Sequence, residues 1–541
     1  MSTSRVATIT LSLVALLAGC DAARVRAIGS PDGGASPAST LAASTLASPI
    51  QPTGSGGAFV PTLATIPCPD DVASQVVQQI TCQNLTVLED RAKPAGRTIK
   101  VFVMRIEPPG GTTTPDPVLV LGALGNLDDY GSMANAGQRT HRLEYLVDLR
   151  GLGHSQPSLA CPEVEAAAPA LAGLRLSDPA RTTALVAAVR SCHDRLTGQG
   201  IDPAMYDAVA DAADMDDLRA ALGIPIWNLI STGSNSRIAF EIARRYGPTI
   251  RSSAIDSPHL PAPSLLDVGP VATDGAIGHL VALCKGQPAC SRAAPDLDAM
   301  IRAAIAKLDR TPIVDDVAGT IAAINLGHPI HTVIDGAGLL RWIRARLGAS
   351  GGAQVSTILP AVSAVLDGSV RATDGLVVDL ASDQDDCAGV LAICEQLVIG
   401  SVYSIVCRDE APRVDQAALA AAISGRPADV ELFGPGPLVT ACGGWAVDPA
   451  PAAPAGPLSG GVPTLVMRGV LDPYSASIAA VRAADPAARA LFTFDVPNQS
   501  YNILGYNECP RAIRNAWIDQ PTIAPDVSCL GSIPELSMSV P

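Results

Sequence analysis

Nucleophilic chemistry near neutral pH needs a hydroxyl or thiol and, beside it, a base able to take its proton. The seven histidines are His141, His154, His193, His259, His279, His328 and His331, so none lies beyond position 331. Of thirteen cysteines, Cys20 stands apart from an even set of twelve: Cys68, Cys82, Cys161, Cys192, Cys284, Cys290, Cys387, Cys394, Cys407, Cys442, Cys509 and Cys529. In an exported chain that set reads as up to six disulfides, and the spacing favours sequential partners such as Cys68 with Cys82 or Cys284 with Cys290. Zinc is the competing use of the thiols. No C-x-x-C pair occurs, and only His193 adjoins a cysteine, so no metal site is expected. Serines remain, in the run Ser231-Thr232-Gly233-Ser234-Asn235-Ser236, which joins an apolar stretch from Trp227 to an amphipathic one from Ile238 to Tyr246. The acidic run Asp383-Gln384-Asp385-Asp386 lacks the Gly and distal Glu of a calcium loop and reads as a solvated loop. His328 and His331 have the spacing of a metal pair on one helical face. Pro329 lies between them and no carboxylate motif is near, which favours a surface or core role.

The elements that must position these residues follow from pattern. The chain has 541 residues, 48% hydrophobic, 16% charged and only 3% aromatic, so aliphatic side chains supply a large core. With 37 Lys and Arg against 52 Asp and Glu, the formal charge of −15 argues against a nucleic-acid partner. Strand candidates are 101–106, 118–121, 144–148, 227–231, 252–256, 464–468 and 490–496. They alternate with amphipathic helical stretches, which predicts a mainly parallel sheet with helices on both faces. Between Ser257 and Gly461 the strand signal gives way to helical, Cys-bearing segments, as expected of a cap inserted between two core strands. No G-x-G-x-x-G follows any strand candidate, and no cofactor is expected.

The N-terminus has Arg5, an apolar stretch from Val6 to Leu17, and then Leu17-Ala18-Gly19-Cys20. This resembles a bacterial lipoprotein signal peptide, with Cys20 as the lipidated first residue of the mature chain. An ordinary secretory peptide is the other reading, and either one exports the chain. The Ala-, Ser-, Pro- and Gly-rich stretch that follows is expected to be a flexible tether. The expected organisation is signal peptide 1–19, tether 20–62, first part of the core 63–260, cap 261–460 and C-terminal core 461–541. The partner implied is a membrane, through Cys20, on the cell surface or periplasmic side.

Three separated blocks carry a family resemblance. Val147-Asp148-Leu149-Arg150-Gly151-Leu152-Gly153-His154-Ser155-Gln156-Pro157-Ser158-Leu159-Ala160-Cys161-Pro162-Glu163 is the first. The second is Ala212-Ala213-Asp214-Met215-Asp216-Asp217-Leu218-Arg219 with Trp227-Asn228-Leu229. The third is Pro463-Thr464-Leu465-Val466-Met467-Arg468-Gly469-Val470-Leu471-Asp472-Pro473. Together they resemble the secreted tripeptidyl aminopeptidase branch of the α/β-hydrolases, related to the proline iminopeptidases, from about Cys68 to Leu530. The resemblance implies an α/β-hydrolase fold with a largely helical cap.

It also implies where a catalytic triad belongs. In that fold a G-x-S-x-G elbow joins strand to helix, and the triad runs Ser, Asp or Glu, then His along the chain. Anchored on Ser236-Arg237, the alignment puts Gly233 at the nucleophile, with Ser231 and Asn235 replacing the flanking glycines. Asp472 stands at the acid position, and Tyr501, in Val496-Pro497-Asn498-Gln499-Ser500-Tyr501-Asn502, stands where the imidazole belongs. A phenol titrating near ~10 cannot serve as imidazole near ~6.5 does. Gly122-Ala123-Leu124-Gly125-Asn126 replaces the oxyanion loop and keeps only two glycines. A register shifted by one makes Ser234 a rival nucleophile. Asp472 followed by Pro473 also reads as a helix N-cap with proline at the first helical position. The leading expectation is a catalytically inactive pseudoenzyme that binds a peptide or small hydrophobic ligand. The alternatives are an active aminopeptidase or esterase using Ser234 with Tyr501, His259, His328 or His331 as base, and a surface scaffold whose partner docks on the cap.

Overall fold

The computed structural model describes residues 59–541 apart from 109, 112–113, 123–139, 263, 350–351, 353, 371–374, 386–397, 435–436, 452–456, 487 and 489. The expected signal peptide, Cys20, the expected tether as far as residue 58, Ala123 to Asn126, Cys387 and Cys394 therefore lie outside the described residues.

Eleven strands are described: β1 (Thr62–Ile66), β2 (Ile80–Leu88), β3 (Thr98–Ile106), β4 (Val118–Leu121), β5 (Glu144–Asp148), β6 (Trp227–Thr232), β7 (Ile250–Asp256), β8 (Ile313–Val317), β9 (Ile330–Ile334), β10 (Thr464–Gly469) and β11 (Leu491–Val496). Nine form one sheet in the order β1-β2-β3-β5-β4-β6-β7-β10-β11. The first three pairings are antiparallel and the rest parallel. β6 and β10 are buried at every residue, as central parallel strands covered on both faces must be. All seven strands expected from the apolar runs are present. β1 and β2 complete the antiparallel edge, where polar residues, exposed on β1 and half-buried on β2, dilute the apolar signal.

The chain between β7 and β10 is mainly helical, with its own core around Trp342, Leu359 and Val362, and contains the small antiparallel pair β8–β9. That hairpin agrees with the surface role favoured for His328 and His331, both of which are exposed. His331 lies on β9 and His328 just before it, so they do not share a helical face; His331 Nδ1 meets Asp316 Oδ1 at 2.9 Å and His328 Nδ1 faces the Pro329 carbonyl. Of the acidic run expected as a solvated loop, Asp383 to Asp385 instead end the helix Gly375–Asp385, and Asp386 lies outside the described residues.

Among the described residues five disulfides join neighbours in sequence: Cys68–Cys82, Cys161–Cys192, Cys284–Cys290, Cys407–Cys442 and Cys509–Cys529. They are compatible with an extracellular or periplasmic protein. Among the described residues no helix is long and apolar enough to cross a membrane. The one metal-like grouping found among them, Cys161, Glu163 and Cys192, has both sulfurs in a disulfide.

Candidate functional site

In an open α/β sheet, loops at the C-terminal ends of the parallel strands build the site. β6 ends at Thr232 and runs through the tight turn Gly233–Asn235 into the helix Ser236–Tyr246. Gly233 has φ +61°, and Ser234 is not among the left-handed residues. The strained position of this strand–turn–helix joint thus falls on a glycine, which tolerates it without a Cβ penalty.

Tyr501 explains why the glycine is needed. A Cβ on Gly233 would overlap the Tyr501 hydroxyl and come within 2.7 Å of its Cζ, so the phenol fills the space that a side chain at the elbow would occupy. Burial, with the carboxylates of Asp472 and Asp256 nearby, pushes the Tyr501 phenol well above its ordinary range. It is a poor proton acceptor in that setting. Its ring stands edge-on to Tyr474, 6.0 Å between centroids. The Arg344 guanidinium lies 4.4 Å from the centroid of the Tyr474 ring.

Asp472 is fully buried. Its Oδ1 accepts from Tyr474 N at 2.8 Å and Ser475 N at 3.3 Å, and its Oδ2 from Ser475 Oγ at 2.6 Å. The carboxylate therefore caps a turn. The helix after it, Ile478–Ala484, starts six residues later and takes Ser477 as its N-cap, which corrects the expected N-cap role of Asp472.

The elbow is tied down from both sides. Ser236 Oγ lies 2.6 Å from the Gly233 carbonyl oxygen, to which it donates, and accepts from His259 N at 2.6 Å. Asn235 Nδ2 donates to the carbonyl of Gly122, the residue just after β4. His259, just beyond β7, is buried, and its Nε2 has no hydrogen-bond partner. Burial lowers it to about 4, against the pull of Asp472 and helped by Arg237 and Arg344, so the ring is neutral at physiological pH. No hydrogen bond joins Ser234 Oγ to a described histidine.

Chain from the insertion is packed against this site. Ser500 Oγ donates to the carbonyl of Leu347 in the helix Gly336–Gly348, and the Tyr474 ring lies against Gly348 so closely that a Cβ there would overlap it. A π-helical turn, Val406–Glu410, is buried throughout; Glu410 pairs with Arg237 of the elbow helix and accepts from Ser264 Oγ at 2.8 Å. Beside it Arg237, Glu241, Asp409 and Arg413 help line a cavity of about 20 Å³, room for a single water.

The structure thus brings Gly233, Tyr501 and Asp472 to one place and sets His259 beside them. Sequence reasoning missed Asp256, which closes β7 next to this group. Its position at the end of the apolar strand 252–256 was the available signal.

The sheet order and the strand–turn–helix elbow define an α/β-hydrolase fold. No family model and no curated protein matches the chain. Among solved structures it is similar to a proline iminopeptidase from Mycobacterium smegmatis, at 14% identity over 81% of this chain and 98% of that one, TM-score 0.38. A naproxen esterase from Bacillus subtilis is similar at 11% identity over 83% and 94%, TM-score 0.32. An esterase from Thermogutta terrifontis is similar at 12% identity over 82% and 100%, TM-score 0.32.

Proposed function

We propose that this chain is an exported, lipid-anchored α/β-hydrolase-fold protein that has lost hydrolysis and binds a peptide or small hydrophobic ligand between core and cap. The observation that carries the reading is the Tyr501 hydroxyl in the volume of the elbow side chain at Gly233. With Tyr501 there, a side chain at Gly233 has no room. The chain has no histidine after Asp472 to restore the base. Binding needs shape and a few convergent polar groups, and these outlast the loss of reactive atoms.

Calorimetric titration with short hydrophobic peptides, alongside chromogenic peptide and ester substrates, tests the proposal. It expects saturable binding without turnover above the uncatalysed rate. Turnover would remove the inactive reading, and no binding across the panel would remove the ligand.

A second reading is favoured by one observation, the buried and unpartnered Nε2 of His259. It makes the chain a serine hydrolase in which His259 swings to Ser234. That reading expects activity to vanish in His259→Gln.

A further inference from the structure

Beyond the helix Glu508–Asp519 and the Cys509–Cys529 disulfide, the chain leaves the core and crosses to the insertion. Ile533 is buried in the core cluster that holds Ile230, Leu465 and Trp517. Met538 is buried in the cluster built mainly by the insertion, with Leu280, Leu339 and Trp342, and Leu536 packs against it. Pro534, Glu535, Ser537, Ser539, Val540 and Pro541 are exposed. Inward Leu536 and Met538 on either side of outward Ser537 is the pattern of an extended strand with one apolar side.

Gln287 grips the backbone of this segment. Its Nε2 donates to the Leu536 carbonyl at 2.6 Å, and its Oε1 accepts from Met538 N at 2.9 Å. A primary amide, with donor and acceptor side by side, thus serves the main chain as a neighbouring strand would. Gln287 stands between the helices Leu265–Gly286 and Pro288–Ala293, and the Cys284–Cys290 disulfide closes the turn around it. Gly352 completes the seat: a Cβ there would come within 2.7 Å of Leu536 Cδ1, and the same point lies 3.6 Å from the Asn498 carbonyl oxygen. Two residues on from Asn498, Ser500 is bonded to the Leu347 carbonyl, and Tyr501 follows at the elbow.

We propose that this seat is a binding site for an extended peptide with apolar side chains two positions apart, filled in the resting protein by the chain's own residues 533–541, and that their release loosens the insertion from the elbow. Main-chain hydrogen bonds with pockets for alternate side chains are a general means of holding extended peptides. The resident segment is built to exchange. Three apolar anchors and one amide must offset the ordering of backbone that forms neither helix nor strand. Its departure takes Leu536 away from Gly352, on which the Asn498 carbonyl also bears, and so unloads the stretch that carries Tyr501 to Gly233. The seat is made by Gln287, Gly352 and the insertion rather than by the elbow. A ligand held at the elbow would be indifferent to Gln287, which separates failure of this site from failure of the proposed function.

The full chain carrying Leu536→Ser with Met538→Ser empties the seat, and a fluorescently labelled synthetic peptide of residues 533–541 is the probe. Fluorescence anisotropy should show saturable binding to this variant, one peptide per chain. The wild type should bind none at about micromolar peptide, because its tethered segment competes at an effective concentration of about millimolar. Adding Gln287→Glu removes the donor to the Leu536 carbonyl and should weaken binding roughly tenfold. Hydrogen exchange across 498–504 should speed up in the emptied chain and slow again when peptide is added. Equal binding to wild type and variant, no binding to the variant, or indifference to Gln287→Glu overturns the site. Unchanged exchange at 498–504 overturns its link to the elbow. If the double variant does not fold, Gln287→Glu in the otherwise unaltered chain decides: protection of Met538 N should drop roughly tenfold, and full protection overturns the proposal.

Discussion

At the residue scale Gly233 and Tyr501 share one space, since a side chain at position 233 would meet the phenol. Gly233→Ser adds a Cβ at a left-handed position, costing about 1–2 kcal/mol, and overpacks against the phenol, costing about 1–3 kcal/mol. In Tyr501→Ala the second cost vanishes, so denaturant unfolding of the two single variants and the double should show coupling of about 1 kcal/mol or more. Additivity within roughly 0.5 kcal/mol would mean the side chains do not compete for space. His259 gives a pH signature. It is neutral when folded, at about 4 against 6.5 when free, so the unfolded chain binds the extra proton between those values. Stability from this group is full above 6.5 and lost as pH falls toward 4, on the order of 3 kcal/mol. His259→Gln should flatten that loss in a pH series of thermal melts; an unchanged acid limb would contradict the assignment. The missing histidine was legible in the sequence because it is a matter of composition. The filling of the elbow by Tyr501 was not, since it depends on where two segments 268 positions apart meet, 501 less 233.

At the element scale, the central strands were legible because parallel strands buried on both faces are continuous apolar runs. β8 and β9 were not: Ile313-Val314-Asp315-Asp316-Val317 is short and half polar, and only its pairing with β9 makes it a strand. The turn after Asp472 misled in a different way. Asp-Pro is a start signal for helices and for turns alike, and here Ser477 supplies the helix cap. The π-helical turn Val406–Glu410 was also invisible, yet it fixes the insertion to the elbow helix through Glu410 and Arg237. Breaking that buried pair on one side, as in Arg237→Met, should cost about 3–5 kcal/mol by leaving Glu410 uncompensated. Adding Glu410→Leu should recover most of it. A double variant no more stable than the single in urea titration would show that the pair does not hold the two parts together.

At the scale of the whole molecule, the described residues hold five sequential disulfides and a sheet of nine strands, and the even set of cysteines pointed to disulfides before their geometry was known. The proposed lipid anchor at Cys20 is tested at this scale. Cys20→Ser should abolish incorporation of labelled fatty acid and release the protein from membranes; full retention in the membrane fraction would contradict an anchor at that residue. The central claim is that no serine at the elbow is activated. Treatment of the purified protein with a fluorophosphonate probe, followed by intact mass, tests it most directly. The account expects no adduct under conditions that label an active serine hydrolase to completion. One probe per molecule mapped to Ser234 would contradict it.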